Sequence, residues 1–175
     1  MKGIAFPVPL KPHDYNETAW IGILRQVKVD LKLDINTVRL YQMDPSVDYS
    51  GFFDYAASVG VYVIVPLTPD SGAGVLDRDK PAPKCYMHNL FQYGVASLRN
   101  YMQYPNTLGG VVGNKVINSL PSWLTAPCVK AYVRDLKSYM ARDMDRSLPL
   151  LYTAQNSGFG ASVTADQACC SQPTT

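Results

Sequence analysis

The chain has 175 residues, of which 47% are apolar and 17% charged, with a net charge of +2. This composition is too apolar for a disordered chain and too weakly charged for a protein that coats nucleic acid. The longest apolar runs have the length of strands, so no transmembrane segment is expected, and Pro7 and Pro9 come too early for a signal peptide. We expect one domain over residues 1–168 and a tail or linker over residues 169–175.

Short apolar runs alternate with longer amphipathic stretches along the whole chain. Five runs rich in β-branched residues predict buried parallel strands, at residues 3–6, 36–41, 61–67, 108–112 and 148–153. Four stretches with helical spacing of apolar residues predict helices, at residues 16–33, 50–59, 88–103 and 127–143. A strand–helix alternation of this kind predicts the α/β class, with right-handed crossovers between parallel strands.

The chain length limits how many strand–helix units the fold contains. An eight-fold barrel takes about 250 residues, or about 31 for each unit, so this chain holds five or six units. We therefore expect a partial TIM-type barrel of about five units, with an open α/β sheet as the alternative. Its first and fifth strands would expose unpaired edges, which promote aggregation. We expect a partner protein, a second copy or further parts of the native protein to cover them.

The cysteines and the acidic residues limit the metal sites and the reaction mechanisms that the chain can support. Cys85, Cys128, Cys169 and Cys170 show no CxxC spacing, and the chain has only two histidines, so neither a metal site nor a cofactor is expected. Four cysteines allow three disulfide pairings, and the spacing does not choose between these pairings and free thiols. The acidic residues are 13 Asp and a single Glu, Glu17, so a mechanism that needs two glutamates cannot run on this chain alone.

The most informative motif is Gly113-Asn114-Lys115, at the end of the predicted fourth strand. In many barrel glycosidases an Asn–Glu pair ends this strand; the Glu protonates the leaving oxygen, and the Asn holds the 2-hydroxyl of the sugar. Here the Asn is present and Lys115 stands at the acid position. An ammonium group cannot serve as the carboxyl that alternates between acid and base. The alternative interpretation is that Gly-Asn forms an ordinary turn.

Five separated segments agree with one family in one register. They are residues 35–45 (INTVRLYQMDP), 60–65 (GVYVIV), 113–116 (GNKV), 129–139 (VKAYVRDLKSY) and 149–154 (PLLYTA). Together they resemble the catalytic domain of family 72 glycoside hydrolases, the fungal-type β-1,3-glucanosyltransferases of cell walls. The resemblance implies a (β/α)8 barrel that cleaves β-1,3-glucan and rejoins it to another chain through a covalent glycosyl-enzyme. It also implies an extracellular or cell-wall location.

The resemblance carries over to particular residues. It implies that Asn114 precedes the acid/base position, that Lys115 occupies this position, and that Arg39, Tyr41 and Tyr152 line the substrate cleft. The early disulfide of the family would fall at positions 23 and 52, which hold Ile and Phe in this chain. The second glutamate of the family, after strand seven, has no counterpart in this sequence. Without the resemblance, Arg39 at a strand end would be expected to form an ion pair with Asp44 or Asp70.

These observations predict a glucanosyltransferase-like protein that has lost catalysis and serves carbohydrate binding or a structural role in a wall or extracellular assembly. The expected partners are β-1,3-glucan or another polysaccharide, and protein that covers the strand edges. The alternative is a truncated or variant copy of an active β-1,3-glucan transglycosylase.

Overall fold

The strands form one parallel sheet in chain order. The computed structural model of the protein describes residues 1–6, 15–69, 75–119 and 121–154. Its sheet has the order β1-β2-β3-β4-β5, with every neighbouring pair parallel. The strands are β1 (Gly3–Ala5), β2 (Thr37–Arg39), β3 (Tyr62–Pro66), β4 (Thr107–Asn114) and β5 (Leu150–Thr153). The predicted α/β class and parallel sheet are thereby confirmed.

Helices occupy the connections between the strands. They are α1 (Glu17–Arg25), α2 (Ser50–Ser58), α3 (Leu90–Tyr101) and α4 (Ala126–Asp143), with a π-helical turn over Gln26–Asp30 and a 3₁₀ turn over Pro121–Thr125. The Asn16 side chain caps α1 by accepting a hydrogen bond from the Ala19 N–H at 3.0 Å. The predicted first helix continued to residue 33, but the helical turns end at Asp30, and Lys32 has the left-handed φ of 50°.

The buried residues form one core cluster to which the sheet and all four helices contribute, and α3 and α4 pack closely together over part of it. The Tyr132 side chain of α4 is fully buried, and its hydroxyl donates to the carbonyl of Leu67, just after β3, at 2.5 Å. Gly94 of α3 faces this hydroxyl, and a Cβ at that position would collide with it and with Leu136. The glycine therefore lets the two helices approach closely enough for Tyr132 to reach the sheet.

One disulfide joins the connection before α3 to the first turn of α4, at the C-terminal end of the sheet. Cys85, five residues before α3, pairs with Cys128 in the first turn of α4, with their Cα atoms 6.0 Å apart. The structure thus selects one of the pairings that the sequence left open, while Cys169 and Cys170 lie outside the described residues. At the two positions where the resemblance implies an early disulfide, Ile23 packs against the core and Phe52 is fully buried in it.

The two outer strands each have one strand neighbour within the described ranges. Coverage of their other edges by protein stays a prediction, as does the boundary between a domain and a tail near residue 168, which lies outside the described residues. In the part of the chain that the structure describes, no helix combines the length and the apolarity that a membrane crossing requires.

Candidate functional site

Three polar side chains meet at the C-terminal ends of β2, β4 and β5. The Arg39 guanidinium donates through Nη2 to Asn114 Oδ1 at 3.1 Å and to Thr153 Oγ1 at 3.2 Å. Thr153 Oγ1 in turn lies 3.0 Å from Asn114 Oδ1, to which it donates. We call Arg39, Asn114 and Thr153 the strand-end cluster. Each of the three residues is partly buried, so the cluster is held in place and still accessible.

The sheet itself brings the cluster together. The C-terminal ends of parallel strands meet at one edge, where barrel enzymes carry their active sites. Asn114 and Thr153 are register partners on β4 and β5, after a shift in register between Val111 and Gly113. Arg39 ends β2, and its long side chain spans the intervening strand to reach them.

Tyr41 holds the guanidinium from another side. The Arg39 guanidinium carbon lies 4.3 Å from the centroid of the Tyr41 ring, in cation–π geometry. Together with the hydrogen bonds to Asn114 and Thr153, this contact fixes the plane of the guanidinium group. Three of the four substrate-binding residues predicted from sequence, Arg39, Tyr41 and Asn114, are therefore neighbours, although their role in sugar binding stays a prediction. Of the two carboxylates predicted as ion-pair partners of Arg39, Asp44 accepts hydrogen bonds from Ser46, and residue 70 lies outside the described residues.

Lys115 immediately follows the cluster at the end of β4. Its backbone has the left-handed φ of 51°, which is uncommon for a residue other than glycine. Its N–H donates to the Thr153 carbonyl at 2.8 Å, so the turn is hydrogen-bonded to β5. The side chain is exposed. The resemblance implies that this position, one residue after Asn114, corresponds to the glycosidase proton donor, and this assignment stays a prediction.

Tyr152 takes a different place from the other predicted site residues. Its hydroxyl accepts a hydrogen bond from the Ile117 N–H at 2.7 Å, and its ring lies against Gly113. Successive strand residues point to opposite faces of a sheet, so Tyr152 does not join its neighbour Thr153 in the cluster. It borders a cavity of about 660 Å³ between β5 and α4, and burial raises the pKa of its hydroxyl.

A polar cavity of about 500 Å³ adjoins Asn114. The connection from β3 to α3 contributes Asp77, Arg78 and Asp79 to its lining. The Asp77 carboxylate accepts hydrogen bonds from the Asp79 N–H and from Lys80 Nζ, each at 3.0 Å. These bonds hold the pKa of Asp77 below its usual range, so this carboxyl remains ionised. No group of three or more His, Cys, Asp or Glu side chains suited to a metal ion occurs within the described ranges.

The sequence analysis did not predict Thr153 as a site residue, nor the polar cavity that adjoins Asn114. A signal for Thr153 was present, because it ends the predicted fifth strand beside the strand that ends in Asn114. Residues 77–79 carried no such signal, since they lie in a long connection whose path depends on the tertiary structure.

Comparisons with known proteins agree with this architecture. The family model described as glucanosyltransferase, glycoside hydrolase family 72, matches residues 19–173. The chain is 37% identical over 131 residues to 1,3-beta-glucanosyltransferase PGA4 of Candida albicans, covering 74% of this chain and 28% of that protein. It is also 37% identical over 131 residues to 1,3-beta-glucanosyltransferase GAS5 of Saccharomyces cerevisiae, covering 74% of this chain and 26% of that protein.

A solved structure extends the match to the fold. Gas2p of Saccharomyces cerevisiae, in complex with laminaritriose and laminaritetraose, superposes with a TM-score of 0.75 at 26% identity, over 94% of this chain and 36% of that chain. This chain thus spans about a quarter to a third of the relatives that it matches. Its five parallel strands correspond to part of a TIM-type barrel, and the chain belongs to the glucanosyltransferase family 72 of glycoside hydrolases.

Proposed function

We propose that this protein binds β-1,3-glucan at the strand-end cluster and does not cleave it. The observation that carries the proposal is Lys115, an exposed ammonium directly after Asn114 at the end of β4. A retaining or inverting glycosidase needs at this point a carboxyl group that gives its proton to the leaving oxygen. Lys115 has no carboxyl group that can give this proton and then act as the base, so the catalytic cycle lacks the group that alternates between the two roles.

Neither Glu17 nor Asp77 is suited to replace the missing acid. Glu17, the only glutamate in the chain, begins α1, and its carboxyl group packs against Gly51 at the start of α2. Asp77 borders the cavity beside Asn114, but its hydrogen bonds with Lys80 and Asp79 favour the ionised form. A general acid needs the opposite, an environment that raises the carboxyl pKa and keeps the proton available.

The binding half of the proposal rests on the geometry of the cluster. Arg39 presents a guanidinium fixed by Asn114, Thr153 and the Tyr41 ring. Such a preorganised set of donors and acceptors, beside an open cavity, suits the hydroxyl groups of a sugar. The relative Gas2p, which is bound to laminaritriose and laminaritetraose, supports β-1,3-glucan as the ligand class.

We further propose that the protein acts outside the cell or in the cell wall. The Cys85–Cys128 disulfide supports this location, because disulfides persist in oxidising compartments.

Calorimetric titration with laminari-oligosaccharides and product analysis test both halves of the main proposal. We expect binding, with neither hydrolysis nor transfer, for the wild type and for Lys115→Gln, which keeps a long polar side chain without the charge. Turnover of the oligosaccharides by the wild-type chain would overturn the claim of inactivity, and the lack of any binding would overturn the claim of recognition.

A second candidate is a variant copy of an active β-1,3-glucan transglycosylase. The intact hydrogen bonds among Arg39, Asn114 and Thr153 favour it, because a site under no constraint would be expected to lose them. In this case Lys115→Glu, placed in a chain extended by three further strand–helix units, would recover transfer of β-1,3-glucan. An extended Lys115→Glu chain that binds the oligosaccharides and leaves them uncleaved would exclude this candidate.

A structural role would use the surface beside β5. The cavity between β5 and α4 has an apolar floor that includes Val129, Val133 and Leu150, and β5 has an edge without a strand neighbour among the described residues. We propose that another copy or a partner protein covers this surface. Light scattering after size exclusion tests self-association, and a monomer at every concentration would contradict it.

A further inference from the structure

We infer that Trp123 forms a stacking platform for a glucan ring, extending the sugar site beyond the strand-end cluster. The inference rests on the proposed function and adds a residue that the resemblance did not single out. The 3₁₀ turn that carries Trp123 belongs to the connection between β4 and α4, as does Lys115.

The exposure of Trp123 separates it from the other tryptophan. The chain has two tryptophans; Trp20 lies in the core with 4% of its surface exposed, whereas Trp123 is 39% exposed and its neighbour Leu124 is 58% exposed. The remaining exposed large apolar residues that the structure describes precede or begin strands, and therefore lie toward the opposite end of the sheet; they are Met1, Val29, Leu31, Leu33 and Tyr62. Within the described ranges, Trp123 and Leu124 thus form an exposed apolar surface at the C-terminal end.

Several contacts hold this turn in place. The Ser122 hydroxyl accepts hydrogen bonds from the N–H groups of Asn118 and Ser119, each at 2.9 Å. The Leu124 carbonyl accepts a hydrogen bond from the Ala82 N–H at 3.1 Å, which ties the turn to the connection before α3. A platform that is held in place before the ligand arrives loses little conformational entropy on binding.

The position of the turn limits how far Trp123 can lie from the strand-end cluster. Connections that follow barrel strands surround the active-site end, and Trp123 lies eight positions after Lys115, a separation that can span at most roughly 28 Å. An aromatic ring offers a flat apolar face that packs against the C–H face of a sugar, while its edge remains polar. One ring of a long glucan can then occupy the strand-end cluster while a more distant ring stacks on Trp123.

Chain length of the ligand provides the first test. We expect Trp123→Ala to lower the affinity for the longest laminari-oligosaccharides about tenfold, to leave the shortest unchanged, and Trp123→Phe to retain most of the affinity. The matched control is Tyr62→Ala, which removes an aromatic side chain of similar exposure, 50%, at the opposite end of the sheet and should change neither affinity. Melting temperatures of all variants establish that they are folded.

Intrinsic fluorescence provides a second test that does not depend on affinity. In the wild type, a long oligosaccharide should shift the Trp123 emission and protect it from quenching by acrylamide. In Trp123→Ala only the buried Trp20 emits, so the same oligosaccharide should change nothing.

The outcomes separate this inference from the proposed function. Unchanged affinity of Trp123→Ala for long oligosaccharides, or an equal loss for short and long ones, would overturn the platform and leave glucan binding intact. A wild-type chain that binds no laminari-oligosaccharide of any length would overturn the proposed function, and the platform with it.

Discussion

The two ends of the sheet use polar side chains in opposite ways. At the N-terminal end of β4, buried Asn106 donates to the carbonyls of Phe53 and Val61 at 3.0 and 3.2 Å, and buried Thr107 donates to the Tyr101 carbonyl at 2.6 Å. At the C-terminal end, the cluster residues are partly buried and bond to one another.

The difference shows which end is available for function. The donor groups of Asn106 and Thr107 are directed at backbone carbonyls in the interior, so these two side chains serve stability. The cluster residues at the C-terminal end bond to one another through their side chains and keep an accessible face. In a barrel, residues at the N-terminal ends of the strands contribute mainly to stability, and residues at the C-terminal ends form the active site.

The largest expected effect on the free energy of unfolding comes from the disulfide at the C-terminal end of the sheet. Replacing both Cys85 and Cys128 by Ser opens a loop whose ends are 43 residues apart, and the chain-entropy relation predicts a loss of about 4 kcal/mol in the free energy of unfolding. Urea denaturation measures the change, with the reduced wild type as the control. A double variant as stable as the oxidised wild type would show that hydrogen bonds alone fix these connections.

Asn106 tests the assignment of the N-terminal end to stability. Asn106→Ala leaves the buried carbonyls of Phe53 and Val61 without this donor, so we expect the free energy of unfolding to fall by about 2–3 kcal/mol. Glucan affinity of the folded protein should not change. Thr107→Val removes a single donor and serves as the matched control, with a smaller loss of about 1 kcal/mol. An Asn106→Ala variant with normal stability and impaired glucan binding would contradict the assignment of the N-terminal end to stability.

Alkaline pH tests the core that lies between the two ends. Burial raises the pKa of the Tyr49 hydroxyl to about 12, whereas an unfolded tyrosine titrates near ~10. Because the folded pKa is the higher one, this contribution is fully present below pH ~10 and is lost as the pH rises toward ~12, with about 1 kcal/mol lost at pH ~11. Denaturant titrations at several pH values measure it, and Tyr49→Phe should lack this part of the dependence. A Tyr49→Phe variant with the wild-type pH dependence would contradict the assignment.

The smallest effect on stability is expected at the strand-end cluster, together with a large effect on binding. Thr153→Val keeps the shape of the side chain and removes the hydroxyl that bonds Arg39 and Asn114. We expect the free energy of unfolding to change by less than about 1 kcal/mol and glucan affinity to fall about tenfold. Calorimetry measures the affinity, and Thr153→Ser, which restores the hydroxyl, should recover it. If Thr153→Val and the wild type bound glucan with equal affinity, the sugar would not bind at this cluster.

Much of the fold followed from local patterns along the chain. Apolar runs of strand length and amphipathic stretches predicted the five strands and four helices in order. The family resemblance made Arg39 and Asn114 candidates for the same site, and the structure joins them by a hydrogen bond. The strand and helix predictions succeeded because hydrophobic periodicity depends on residues close in sequence.

The sequence by itself determined the α/β class and the family, and the resemblance to that family singled out the strand-end residues Arg39 and Asn114. The tertiary structure decided that Cys85 pairs with Cys128, that Thr153 completes the cluster while Tyr152 lines a cavity beside α4, and that Trp123 remains exposed on a fixed turn. The physical reason is strand register and the packing of connections: both depend on contacts between residues tens of positions apart, and a one-residue change in register turns a side chain to the other face of the sheet.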